Sequence, residues 1–173
     1  MNHEYVPEVW KTIVFQRLGC SFENLKDWAH RRKTPLSGPT GNINPKGPVS
    51  PEGSATLSLT TPRRLGLAGE FSYNEFLARA RSCGLKPCRP AIGPQLFVVY
   101  DDQPDGEEII IASTAKDMGY EGEESGVEAG LFVVARRTAS CGQPAKRHLG
   151  VGVLLHPDEK SDFPLDDLWV FEL

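Results

Sequence analysis

Along the chain, the spacing of apolar positions changes several times, and each change predicts an element. Val9–Phe15 (VWKTIVF) is rich in β-branched and aromatic residues and reads as a strand. Gly19 interrupts the run. Ser21 then stands where a helix cap is expected, and Phe22, Leu25, Trp28 and Ala29 share one helical face. The cations Arg31, Arg32 and Lys33 close this segment, where the negative end of a helix dipole favours them. Ser72 opens the clearest helix, with Glu75 three residues on to complete a capping box. Tyr73, Phe76, Leu77 and Ala80 form its apolar stripe; Gly84 ends it, and Pro87 and Pro90 follow.

Beyond Pro90 the pattern shortens to the lengths of strands. Leu96–Tyr100, Glu108–Ser113, Leu131–Arg137, Leu149–His156 and Trp169–Leu173 are the predicted set, and Ala55–Thr60 (ATLSLT) alternates in the same way. Most connections are too short for a crossover helix, which predicts antiparallel neighbours. The expected fold is therefore α+β: an antiparallel sheet of about five strands with one main helix. To this are added an N-terminal strand–helix unit and a flexible loop rich in Pro and Gly. The expected division runs 1–33, 34–64 and 65–173.

Composition sharpens the middle of that picture. Thr34–Arg64 holds six prolines and four glycines among 31 residues, too little apolar surface to offset the entropy of ordering, so Thr34–Gly53 is expected to be mobile. Residues 114–130 are rich in Gly and Glu and read as a solvated loop. No apolar run approaches the length of a membrane span. The first residues show neither a basic nor an apolar leader region, so the expected location is cytoplasmic. On that expectation Cys20, Cys83, Cys88 and Cys141 are free thiols. The net charge of −4 conceals a split. Residues 1–94 carry 13 Lys/Arg against 7 Asp/Glu, and residues 95–173 carry 6 against 16. Internal attraction is the simpler account, with Arg31, Arg32 and Lys33 expected to lie against the acidic half.

Several short motifs coincide with a known pattern. Gly84-Leu85 followed by Cys88, then Gly93-Pro94-Gln95-Leu96, then Tyr100, Asp102-Gln103-Pro104 and Gly106-Glu107 resemble a family of small uncharacterised bacterial proteins. Trp10-Lys11-Thr12-Ile13, Asp27-Trp28-Ala29 and the terminal Trp169-Val170-Phe171 extend the likeness. It is best over residues 70–113 and implies a common domain; it implies no activity.

The stretch VVYDDQPDGEEIII, residues 98–111, offers Asp101, Gln103, Asp105 and Gly106 at calcium-loop spacing. The twelfth position is Ala112, however, and Glu108–Ile111 reads as strand, so a hairpin tip around Asp101–Glu108 explains it better. Ser113-Thr114-Ala115-Lys116 matches S-x-x-K but lacks the companion elements of that chemistry. Cys83 and Cys88 are spaced too widely for a zinc knuckle, and Cys20, Cys141, His148 and His156 could complete a site only through folding that the sequence does not predict; small packed thiols are the plainer reading. His3, His30, His148 and His156 show no pairing with a nucleophile in sequence. Phosphate-binding glycine loops are absent. Neither a metal nor a cofactor is expected.

Trp28, Arg31, Arg32 and Lys33 are the candidate contact residues. Their chemistry would suit a weak nucleic-acid surface, but a pI near 5.6 disfavours one. The expected function is a non-catalytic binding or accessory role through contact with an unknown protein partner. One alternative is a small-molecule enzyme with its site at Cys83, Cys88 and residues 90–95. The other is weak nucleic-acid binding through Arg31, Arg32 and Lys33.

Overall fold

The capping box at Ser72 is the point where sequence and structure agree most closely. In the computed structural model, which describes residues 5–22, 24–31, 36–37, 48–119, 129–137, 146–154, 157–161 and 163–173, Ser72 Oγ accepts from the Glu75 N–H at 3.1 Å. The Ser72 N–H returns to Glu75 Oε2 at 2.8 Å. Two otherwise orphaned donors are satisfied, and helix α2 (Tyr73–Ser82) follows. Its predicted stripe of Tyr73, Phe76, Leu77 and Ala80 is buried. Gly84, at φ +84°, takes the left-handed conformation that ends the helix.

The remaining elements, in chain order, are β1 (Lys11–Val14), α1 (Leu25–Arg31), β2 (Leu36–Ser37), β3 (Ser54–Thr60), β4 (Phe71–Ser72), α3 (Ile92–Val99), β5 (Glu108–Ile111), β6 (Ala129–Arg137), β7 (Lys146–Leu154), β8 (Lys160–Ser161) and β9 (Leu168–Glu172). One sheet runs β1-β3-β9-β5-β6-β7-β2, and β4 pairs with β8 in a second, two-stranded one. The class is α+β, with corrections to its detail.

The expected antiparallel sheet of about five strands is a mixed sheet of seven. β5 pairs with β9 in parallel, and so does β2 with β7. The last strand inserts between β3 and β5, a long-range choice that short connections elsewhere do not reveal. Three helices replace the one main helix plus its N-terminal companion. The third, α3, occupies the predicted strand Leu96–Tyr100. A short apolar run suits a buried helix as well as a buried strand, and here residues 92–97 are all buried. Pro94 sits in the first turn, where a missing N–H breaks no helical bond. Because a helix precedes it, Asp101–Glu108 is a helix-to-strand connection and not a hairpin. Of the expected mobile loop Thr34–Gly53, Leu36–Ser37 forms a two-residue strand and Val49 is buried, whereas residues 34–35 and 38–47 lie outside the described ones.

Both faces of the sheet are covered. Ala55, Leu57, Val170, Ile109, Val134 and Phe132 fall on one face by register, and α3 packs there, with Gly93 against Phe132. Phe22, just before α1, stacks on the same ring at 6.1 Å. On the opposite face α2 sets Phe76 against Trp169 at 4.8 Å and Phe171 at 5.5 Å. Among the described residues no helix is long and apolar enough to cross a membrane.

Gly93 gives a test of this packing. An alanine Cβ there would stand 2.5 Å from Phe132 Cβ, which no rotamer change moves, and 2.6 Å from its Cγ. Helix propensity alone would make Gly93→Ala stabilising by about 0.5–1 kcal/mol. Overpacking reverses the sign, and urea unfolding should show a loss of about 1–3 kcal/mol.

Candidate functional site

A cleft of about 850 Å³ opens where β1 ends, lined by residues 14–17, Gly19, Cys20 and Ser50–Gly53. Its two walls are loops, and each is fixed by specific bonds. The Phe15 N–H donates to Gly53 O at 3.0 Å, and the Leu18 N–H to Ser50 Oγ at 2.9 Å. Gly19 and Gly53 turn the walls at φ +68° and +99°. Behind them stands Gln95 of α3, fully buried. Its Oε1 accepts from the Gln16 N–H at 2.7 Å, while its Nε2 donates to Gln16 O at 2.8 Å and Val49 O at 3.0 Å. One side chain therefore ties both walls to the core.

The rim is apolar on one side. β1 is an edge strand, and Val14 is 64% exposed at its end. Val6 and Val9, which precede β1 and do not line the cleft, are 71% and 64% exposed. Phe15 and Ile13 point the other way, Phe15 beneath the Arg89 guanidinium at 4.9 Å. Arg89 in turn forks onto Glu172, with Nη2 to Oε2 at 2.9 Å.

The acidic stretch at the end of α3 is held by cations. Asp101 meets Arg147 at 2.6 Å, Asp102 meets Lys11 at 3.1 Å, and Asp105 meets Arg136 at 2.6 Å. Arg147 also donates to Phe97 O and lies 4.9 Å from the Phe97 ring. Lys11 sits 4.4 Å from the Tyr100 ring, beside Trp10, whose ring meets that tyrosine edge-on at 5.2 Å. Burial and the Glu107 carboxylate, which accepts the phenol at 2.9 Å, push the Tyr100 pKa up. The hydrogen bond from Lys11 holds Asp102 below the usual carboxylate range. Among the described residues no group of three His, Cys, Asp or Glu side chains is arranged to hold a metal.

The basic and acidic halves of the chain do meet, through Lys11–Asp102, Arg63–Asp166 and Arg89–Glu172. Of the expected contact residues, Trp28 is 4% exposed and packs in the core, while Arg31 is exposed at the end of α1. Arg32 and Lys33 lie outside the described residues, as do Cys141 and His156. Cys88 is buried and its thiol donates to Val170 O at 3.3 Å; burial pushes its pKa well up, with the Glu172 charge adding to this. Cys83 and Cys20 are half-buried. Ser113 is fully buried and Lys116 exposed, so S-x-x-K is not assembled as a pair. The buried Tyr73 hydroxyl donates to Ser113 O at 2.8 Å.

Sequence reasoning named Gln95 only within a shared motif and the 90–95 segment, and passed over its part as a buried amide. Its signal was present: one amide inside an otherwise apolar run must find partners when buried. No protein-family model, curated protein or solved structure matches the chain.

Two outcomes are expected. Gln95→Met keeps the volume but leaves Gln16 and Val49 backbone groups unanswered, which should cost about 2–3 kcal/mol in urea unfolding. Native alkylation with iodoacetamide at pH 8, read by peptide mass spectrometry, should label Cys20 and Cys83 well before Cys88, because a buried thiol with a raised pKa offers little thiolate. Equal labelling of Cys88 would contradict the hydrogen bond to Val170.

Proposed function

We propose that this is a non-catalytic binding or accessory protein that works through a protein partner, an extended segment of which docks along the β1 edge and into the adjoining cleft. The observation that carries the reading is the coincidence of an edge strand, an exposed Val14 at its end and a cleft with fixed walls that Val14 lines. In an antiparallel ladder alternate residues turn their backbone groups to the partner strand, so with Phe15 bonded to Gly53, Val14 and Thr12 face outward. Gln16 Nε2 covers Val14 O at 3.2 Å, which leaves side-chain contact as the main source of affinity there.

The enzyme reading draws less support from the residues it named. The Cys88 thiol is committed to a backbone carbonyl, and the raised pKa works against a nucleophile. Nucleic-acid binding draws little from Lys11, Arg63, Arg89, Arg136 and Arg147, each of which faces a carboxylate.

The test replaces Val14 by a benzophenone-bearing residue and crosslinks it in native lysate, with and without nuclease. A discrete adduct with one protein, unaffected by nuclease, is the expected product. The purified partner should then bind Val9→Lys about tenfold more weakly than the parent chain, the cost of losing one well-packed apolar contact. A nuclease-sensitive adduct, or none from the benzophenone at Val14 or, in a second variant, at Val9, would remove the proposal.

A further inference from the structure

The outer edge of β1 is short and unevenly furnished with hydrogen-bonding groups. The Phe15 N–H bonds Gly53 O, and the register continuing from it pairs Ile13 with Ala55 and Lys11 with Leu57. Those residues turn their backbone groups towards β3. Thr12 and Val14, both exposed, therefore turn theirs away from the sheet.

Both ends of this row are closed. At the N-terminal end the Trp10 N–H donates to Leu57 O at 2.8 Å, although Leu57 is the register partner of Lys11. Two residues of the edge strand thus oppose one of β3, and a bulge of this kind ends regular pairing on an exposed edge. At the cleft end Gln16 Nε2 covers Val14 O at 3.2 Å. The backbone of Gln16 is itself fixed, because Gln95 accepts its N–H at 2.7 Å and donates to its carbonyl at 2.8 Å. Among the described residues β1 has a neighbour on one side only. The Thr12 N–H, the Thr12 C=O and the Val14 N–H are what it offers on the other.

An antiparallel strand laid on this edge exchanges two bonds at each outward residue. Opposite Thr12 both can form. Opposite Val14 the incoming residue can accept the Val14 N–H, but its own N–H meets a carbonyl that is already taken. Every amino acid except proline brings that N–H. Proline is also tolerated as the first residue of a strand. Its ring would lie directly across from the Val14 side chain, which is exposed and apolar. Because Val14 lines the cleft, the residues before the proline would lead into it.

We infer that the β1 edge takes a short antiparallel strand of the partner that begins with a proline opposite Val14, its next paired residue lying opposite Thr12. Assignment to a partner rests on the docking reading given above; the preference for proline rests on the bonding pattern of the edge alone.

The experiment titrates the ¹⁵N-labelled full chain with three capped peptides, acetyl-Val-Xaa-Val-Thr-Val-amide, in which Xaa is proline, alanine or N-methylalanine. The Thr12 and Val14 amides, the two donors of the edge, report binding by NMR. Shifts at both are expected with the proline peptide. The alanine peptide should bind about threefold to tenfold more weakly, the equivalent of one hydrogen bond left unmade. N-methylalanine removes the N–H without adding a ring, and should match proline. In Gln16→Ala the Val14 carbonyl is uncovered, so the alanine peptide should bind at least as tightly as the proline one. The N-methylalanine comparison is made on the parent chain and does not depend on how the variant folds. Equal or tighter binding of the alanine peptide to the parent chain, N-methylalanine as weak as alanine, a proline advantage that persists in Gln16→Ala, or silence of both amides would overturn the inference. Silence alongside a persistent Val14 adduct removes the paired strand and leaves the docking reading standing. A proline preference without an adduct from Val14 or Val9 upholds the selectivity of the edge and removes its assignment to a partner protein.

Discussion

Helix α3 has no charged residue, so it gains nothing from facing water, and residues 92–97 are buried. That burial is the constraint on which the rest of the molecule depends. Gly93 permits close approach to β6 because a glycine leaves space for the Phe132 ring. Gln95, the one side-chain amide taken inside, must then be hydrogen-bonded, since an unanswered buried amide costs far more than a solvated one. Its partners are the backbones of Gln16 and Val49. Two loops far apart in sequence are thus drawn onto one helix, and the space between them is the cleft.

Charge acts around this frame in a supporting role. Arg136 and Arg147, on adjacent strands, hold the acidic connection that leaves α3, and Lys11 ties β1 to the same connection through Asp102. Exposed pairs of this kind contribute little stability and mainly choose an orientation. Each of the acids Asp101, Asp102 and Asp105 has a cation of its own. Arg147 is the more buried partner; its desolvation pushes its pKa down and Asp101 offsets this only in part, while the guanidinium also lies over the Phe97 ring.

Binding by such a molecule would draw on surfaces with unequal rigidity. Loops that carry function are normally the least constrained parts of a fold. Here the cleft walls are pinned by Gln95 and Ser50, so a docking segment would meet a preformed shape and lose little free energy to ordering the receptor.

The features written in the sequence by itself are those with a local cause. The Ser72–Glu75 capping box, the stripe of α2, the glycine stop at Gly84 and the strand character of β3, β5, β6, β7 and β9 each depend on residues a few positions apart, and all could be read directly. Helix α1 was also legible, although its first turn begins later than Ser21 suggested. The tertiary structure decided what had no local cause. Leu96–Tyr100 is apolar on every side, so periodicity could not separate helix from strand, and that choice in turn turned an expected hairpin into a helix-to-strand connection. The parallel β5–β9 pairing and the position of β9 between β3 and β5 follow from long-range packing, to which turn residues are blind. Likewise the candidate site joins Val14, Ser50 and Gln95 only in space. Its residues looked unremarkable one by one because hydrogen-bond partners for a buried amide are chosen by the fold that buries it, and not by its neighbours in the chain.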